Sequence, residues 1–216
     1  YLENENFIDA EIFNNILIQK FPDDPSGFIN ASIISLNNSK PQKAIEYLQP
    51  KIENFNNNYS VHYILGTSYY QVGDFDNSEK HLIKALLIFP GSRSSKHTLA
   101  MIYDQKGLWI KSDSLYLELI TTDSTDAQAY NNFAYSLVER HDNLELALEM
   151  SIIANRIQPK SAPYLDTLGW IYFMLEQYEK ALEYVQASYS LDSTNPVILE
   201  HLADILKATD QVSKAN

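Results

Sequence analysis

The feature that most constrains this chain is a recurrence of residue size along it. Small residues at Ala10, Ala44, Ser78, Ser112, Ala147, Ala181 and Ala215 lie 34, 34, 34, 35, 34 and 34 positions apart. A second small series, Ser32, Gly66, Ala100, Ala134, Gly169 and Ala203, keeps the same spacing. A bulkier series precedes it at Ala31, Leu65, Leu99, Phe133, Leu168 and Leu202, and a fourth marks helix ends at Pro22, Asn56, Pro90, Ser124, Pro159 and Ser193. All four registers share one extra residue near 142–146. A chain periodic in this way folds as copies of one supersecondary unit. No copy can bury its apolar face alone, so neighbours stack into a continuous core.

Each unit reads as two helices. In residues 59–92 a first helix covers about 60–71, with Leu65, Gly66, Tyr69 and Tyr70 on its apolar or small face. Gly73-Asp74 interrupts it, since glycine tolerates a left-handed turn and aspartate caps the helix that follows. Phe75, Ser78, Leu82, Ala85 and Leu86 then recur at i, i+3, i+4 spacing, and Pro90-Gly91 ends the second helix. Asp24-Pro25 and Asn195-Pro196 place a cap before a proline at the first helical position, where its missing N–H is not needed. Two antiparallel helices approach closely only where side chains are small. Gly66 with Ser78, and Gly169 with Ala181, are therefore the expected crossing points.

This pattern resembles the tetratricopeptide repeat over essentially the whole chain. Residues 162–195 match it through Leu165, Leu168-Gly169, Tyr172, Tyr178, Ala181 and Val185, with Ser188 and Ser193 as departures. Residues 59–92 match through Leu65-Gly66, Tyr69, Gly73, Phe75, Leu82, Ala85 and Pro90. Residues 25–58 are the most degenerate, with Ala31-Ser32, Ser35 and Lys51. The resemblance implies an all-α, right-handed superhelical solenoid of antiparallel helix pairs, one solenoid over 1–216. Complete repeats are expected at 25–58, 59–92, 93–126, 127–161 and 162–195. Residues 1–24 read as a partial repeat, with Tyr1 near the end of a first helix and Phe7–Phe21 as the second. Residues 196–216 read as another first helix, with the next helix due to begin at Val212 and Ala215. Both ends falling inside repeats suggests a piece of a longer protein.

Composition excludes several function classes. Sixteen Lys+Arg against 28 Asp+Glu give a formal charge of −12, which phosphate backbones would repel, so nucleic acid is not an expected partner. No apolar run approaches the roughly 18 residues a membrane helix needs, and no basic cluster suits an anionic membrane surface. With no cysteine there is no disulfide, zinc-thiolate site or thiol nucleophile. The histidines are His62, His81, His97, His141 and His201, and no two lie four apart on a helix. Glu139-Arg140-His141-Asp142 is a dense polar run, but it reads as a solvated turn without metal-ligand spacing. No Gly-x-Ser-x-Gly elbow and no phosphate-binding glycine loop is present. Neither catalysis, a metal nor a cofactor is expected.

The resemblance further implies that the fifth, ninth, twelfth and thirteenth positions of each repeat line a concave groove. The partner-binding candidates are Ile29, Ile33, Tyr63, Tyr70, His97, Met101, Asn131, Tyr135, Glu139, Asp166, Trp170, Phe173 and Glu200, with Leu36, Thr67, Asp104, Asp204 and Lys207 on the same face. That face is apolar at its N-terminal end, aromatic in the middle and acidic toward the C-terminus, which suits an extended peptide or a partner helix. Tyr69, Tyr103 and Tyr172 read as packing residues. For Tyr63, Tyr135 and Trp170, partner contact competes with packing against the next unit's first helix. Some members of the family grip a C-terminal carboxylate with basic residues along the groove. The fifth positions here are Ile29, Tyr63, His97, Asn131, Asp166 and Glu200. None is Lys or Arg, and the last two would repel that ligand.

The expected function is a non-catalytic scaffold or adaptor binding a protein or peptide partner. The alternatives are the non-catalytic arm of a larger enzyme, or a structural spacer. Tyr130-Asn131-Asn132-Phe133-Ala134-Tyr135 and Pro163-Tyr164-Leu165-Asp166-Thr167-Leu168-Gly169-Trp170 are similar to the C-terminal repeats of bacterial envelope lipoproteins of this class. That likeness implies a bacterial periplasmic, outer-membrane-associated setting; the composition itself is equally compatible with the cytoplasm.

Overall fold

The computed structural model describes the backbone of residues 7–215 and the side chains of residues 12–210; Tyr1 lies outside them. Twelve α-helices and no strand occur among the described residues. They are α1 (Phe7–Lys20), α2 (Pro25–Asn37), α3 (Pro41–Leu48), α4 (Tyr59–Gln71), α5 (Phe75–Ile88), α6 (Arg93–Gln105), α7 (Trp109–Thr122), α8 (Ala127–Glu139), α9 (Leu144–Ile157), α10 (Ala162–Met174), α11 (Tyr178–Leu191) and α12 (Pro196–Ala215). The chain forms two compact units, 1–115 and 116–216.

Helices α1 to α6 in the first unit, and α8 to α12 in the second, each pack on the next, and the first helices pack side by side. In the first unit α2, α4 and α6 form that inner row, and in the second α8, α10 and α12 do so. The core of the first unit gathers Phe28, Leu48, Phe55, Val61 and Leu65, with a second cluster at Leu82, Leu99, Ile102 and Tyr103. The second unit closes on Leu168, Tyr172, Val185, Ile198 and Ile205.

Helix starts follow the caps in the sequence. Asp24 accepts a hydrogen bond from the Ser26 N–H at 2.8 Å, Asp74 from the Asn77 N–H at 3.1 Å, and Asn195 from the Val197 N–H at 3.0 Å. Helix ends inside the hairpins share one device that the sequence shows only twice. Ser39, Gly73, Gly107, His141 and Glu176, 34, 34, 34 and 35 positions apart, all have positive φ, between 54° and 80°. Each closes its helix with a pair of backbone bonds, such as Gly73 N–H to the Tyr70 carbonyl at 3.0 Å and Asp74 N–H to the Tyr69 carbonyl at 2.9 Å. At Glu176 the same pair runs to Phe173 and Tyr172. The extra residue near 142–146 lengthens one of these turns: His141 and Asn143 both take positive φ, and Asn143 becomes the cap of α9.

The crossing points are tight. A methyl group added at Gly169 would lie 2.5 Å from Val185 Cγ2, 3.0 Å from the Val185 amide nitrogen and 3.1 Å from the Ala181 carbonyl oxygen. At Gly66 it would meet the Leu82 side chain at 2.6 Å. At the Gly66 crossing Ser78 turns inward and donates to the facing Gly66 carbonyl at 2.6 Å, and elsewhere in the α10–α11 hairpin Ser188 donates to the Ala162 carbonyl at 2.8 Å; Ser32 donates to the Phe28 carbonyl of its own helix at 2.8 Å, with the Ala44 carbonyl 3.3 Å away.

Two segments depart from the regular unit. α3 has only 8 residues, where α5, α7, α9 and α11 each have 14. Pro50 has no N–H to continue the ladder, so the chain passes into a 3-10 turn at Gln49–Lys51 and then irregular turns. At the other end the repeat period predicts a new helix beginning at Val212 and Ala215. Instead α12 runs unbroken for 20 residues from Pro196 to Ala215, because no glycine or further proline interrupts it.

Two substitutions test these devices by urea denaturation. Gly169→Ala, which presses on backbone atoms, is expected to cost about 1–3 kcal/mol. Glu176→Gly relieves a left-handed residue and is expected to raise stability by roughly 0.5–1 kcal/mol.

Candidate partner-binding faces of the first helices

In the first unit the candidate face is carried by α2, α4 and α6. Ile29, Ile33, Leu36, Tyr63, Thr67, Tyr70, Met101 and Asp104 are half-buried on it, and His97 is buried. Ile29, Ile33 and Leu36 pack on the Phe28–Leu65 core. Tyr63 and Tyr70 pack on the cluster containing Leu99 and Ile102 of the following first helix. Tyr63 also stacks on Tyr59, ring centres 5.8 Å apart and planes 7° apart. Its packing role is therefore visible directly. Tyr70 has a raised pKa, from burial first and then from the charge of Asp104.

In the second unit the face comes from α8, α10 and α12, and it is polar. Tyr135 is 37% exposed. Its phenol pKa is raised, chiefly by burial of the rest of the ring, then by the negative charges of Glu139, Asp166 and Glu200 and by a hydrogen bond with Glu139. These acids thus lie within electrostatic reach of one aromatic side chain. Glu139, Glu200, Asp204 and Lys207 are exposed.

Asp166 is only 5% exposed. Its Oδ2 accepts from His201 Nδ1 at 2.9 Å, while its Oδ1 has no hydrogen-bond partner. The same is true of Oδ1 of the buried Asn131. His201 lies flat against Trp170, ring centres 4.1 Å and planes 9° apart, and Trp170 stacks on Phe173 at 4.8 Å. Trp170 and His201 therefore lock α10 to α12, with Asp166 holding the imidazole. His97, Asn131 and Asp166 form the floor of the two faces rather than their surface, and Tyr135 is the aromatic most open to a partner. Of the tyrosines read as packing residues, Tyr103 and Tyr172 are buried. Tyr69 is half-buried, and its hydroxyl donates to Gln49 Oε1 at 3.1 Å.

A histidine pair that spacing rules for helical metal sites do not detect lies in the first unit. His62 Nδ1 and His81 Nδ1 are 3.0 Å apart, and His62 Nε2 is 3.0 Å from the Asn56 carbonyl oxygen. A carbonyl only accepts, so His62 carries its proton on Nε2 and its Nδ1 accepts from His81 Nδ1–H. Tyr69 stacks on His81, planes 4° apart. Burial, then the neighbouring His62 and Lys80, lowers the His81 pKa to about 4. Burial, offset by the Asn56 carbonyl, lowers that of His62. Among the described residues no group of three or more His, Cys, Asp or Glu is placed to hold a metal ion. No described helix is long and apolar enough to cross a membrane.

Residues 97–216 match the family model of the tetratricopeptide repeat, and residues 59–91 match a second model of that repeat. The chain belongs to the tetratricopeptide repeat family. Its fold is the all-helical solenoid class of that family, whose members are generally non-catalytic interaction scaffolds. It is 26% identical over 144 residues to the type IV pilus assembly protein PilF of Pseudomonas aeruginosa, covering 66% of this chain and 57% of that protein. It is 24% identical over 226 residues to a TPR repeat-containing protein of Methanocaldococcus jannaschii, covering 99% of this chain and 39% of that one. The chain thus spans well under two thirds of either relative.

Similar solved structures include YrrB, described as a TPR protein with an unusual peptide-binding site. It has TM-score 0.63 at 16% identity, over 87% of this chain and 96% of that one. The Cut9–Hcn1 structure of the APC/C reaches TM-score 0.79 at 16% identity, over 92% of this chain and 39% of that one. PilF of P. aeruginosa gives TM-score 0.63 at 24% identity, over 71% of this chain and 69% of that one. At these identities the structures share the fold.

The histidine pair gives the first unit a pH dependence. His81 binds a proton less readily folded than unfolded, so the unfolded state takes up more protons between the two pKa values. Stability is then full above pH 6.5 and falls as pH drops toward about 4. The expected contribution is of order 3 kcal/mol. It is measured as the difference in pH-dependent unfolding between the natural chain and His81→Gln, whose profile should be flatter over that window.

Proposed function

We propose that this chain is a non-catalytic interaction scaffold whose first-helix faces hold a protein or peptide partner. The observation that carries the reading is Tyr135: an open aromatic ring on the α8–α10–α12 face, within the field of Glu139, Asp166 and Glu200. An aromatic side chain offers contact area at low entropic cost, and the surrounding carboxylates favour a segment with Lys, Arg or amide side chains. The α2–α4–α6 face, built from Ile29, Ile33, Tyr63 and Tyr70, suits apolar side chains. A free C-terminal carboxylate is the wrong ligand for the second unit, because Glu200 and Asp166 occupy fifth positions of their repeats.

The setting proposed is a bacterial cell-envelope assembly, with the chain in the periplasm. The similarity to a Pseudomonas protein named for type IV pilus assembly supports it.

The test is site-specific photo-cross-linking in the native host. A benzophenone amino acid at position 135 is expected to trap one discrete protein partner. The same group at exposed Glu149, on α9, is expected to trap none. Tyr135→Ala is expected to weaken that complex by about tenfold, the size of a hot-spot loss. Equal trapping at 135 and 149, or a Tyr135→Ala complex of unchanged affinity, would count against the groove reading.

A further inference from the structure

The early stop of α3 leaves irregular turns, rather than helix, beside α5. The second helices α5, α7, α9 and α11 run 14 residues and α3 runs 8, which makes α3 shorter by roughly 9 Å of helix at about 1.5 Å per residue. Between the turns that follow α3 and helix α5 lies a cleft of about 660 Å³. One wall is the irregular stretch after Pro50, with Ile52, Glu53 and Asn56. The other is α5, with Lys80, Ile83, Lys84 and Leu87. The His62–His81 pair lies between them.

Both the charge and the polarity of this cleft are unusual for the chain. The protein as a whole carries a formal charge of −12, yet the cleft presents two lysines against the single carboxylate of Glu53. The acids of α5 that could neutralise them are engaged elsewhere: Asp76 and Glu79 both pair with Lys106. Neither Lys80 nor Lys84 has an ion-pair partner among the described residues. The α5 wall also exposes large apolar side chains, with Leu87 at 73% and Ile83 at 40%. Lys80, Lys84 and Leu87 follow at i, i+4 and i+7, so one helix face combines two free ammonium groups with an aliphatic strip. His81 Nδ1 is committed to His62, which leaves its Nε2 as the remaining ring nitrogen of the pair.

We propose that this cleft is a second docking site, separate from the first-helix faces, for a short acidic and aliphatic segment of a partner protein. Carboxylates of the segment pair with Lys80 and Lys84. Its aliphatic side chains cover Ile83, Leu87 and Ile52. The volume holds a few side chains rather than a whole helix.

The probe is the peptide acetyl-Leu-Glu-Ile-Glu-Leu-amide, titrated into the isotope-labelled 216-residue chain by NMR. Saturable shifts are expected, confined to residues 49–56 and 80–87 and to the His62 and His81 rings. The peptide with Gln in place of Glu is expected to bind at least tenfold more weakly. Lys80→Glu with Lys84→Glu is expected to have a similar effect, and Leu87→Ser a smaller one of about threefold. Tyr135→Ala is expected to leave the affinity unchanged, which separates this site from the groove reading. The proposal is overturned if the Gln peptide binds as well as the Glu peptide. It is also overturned if neither the lysine reversal nor Leu87→Ser weakens binding, or if no saturable shift occurs at millimolar peptide. The peptide comparison keeps the test decisive should the lysine reversal unfold the chain.

Discussion

Everything in this structure depends on how closely the two helices of a hairpin approach each other. At Gly66 the neighbouring Leu82, and at Gly169 the backbone of Val185 and Ala181, occupy the space a methyl group would need. That contact fixes the crossing point of the hairpin. The crossing point fixes which residues of the first helix turn toward the core and which toward the outside. Leu65 and Leu168 go in, and the face bearing Tyr70 or Tyr135 goes out. A side chain at the crossing would part the helices and lose packing on both sides of it, which is why the small residues recur so strictly along the chain.

The candidate faces inherit their character from what the packing leaves over. In the first unit the tyrosines are mostly consumed: Tyr63 stacks on Tyr59 and packs toward α6, and Tyr103 is buried. In the second unit Trp170 is held between Phe173 and His201, so much of its surface is spent joining α10 to α12. Tyr135 is stacked on no ring among the described residues and is 37% exposed, and Glu139 and Glu200 on the same face are exposed beside it. The half-satisfied Asp166 is the most polar feature of that interior. One oxygen orients His201, and the other lies buried without a hydrogen bond, an arrangement that holds the stack in register at some cost in stability.

Much of this was legible in the sequence, and what was not has identifiable physical causes. Helix pairing, caps at Asp24, Asp74 and Asn195, and the crossings at Gly66 and Gly169 were legible because each depends on local chemistry repeated at one period. The left-handed closures at Ser39, His141 and Glu176 were hidden, because the backbone needs the conformation whether or not glycine supplies it. The run-on of α12 was missed because the expectation came from the repeat, while the local sequence lacks any residue that stops a helix. The burial of His97, Asn131 and Asp166 is not legible in the sequence, because position in a repeat gives the direction of a side chain, whereas its exposure depends on what the next first helix places over it. The His62–His81 and Asp166–His201 contacts join residues 19 and 35 apart, and only the stacking of helices brings them together.

The central claim is that recognition in the second unit runs along α8, α10 and α12, with α9 and α11 serving as their support. Amide shift mapping of the second unit with a short peptide alternating Lys or Arg with aromatic residues tests it directly. The account requires saturable shifts on α8, α10 and α12, centred on Tyr135, with α9 and α11 undisturbed. Shifts centred on α9 or α11, or indifference to replacing the basic residues by Glu, would contradict it.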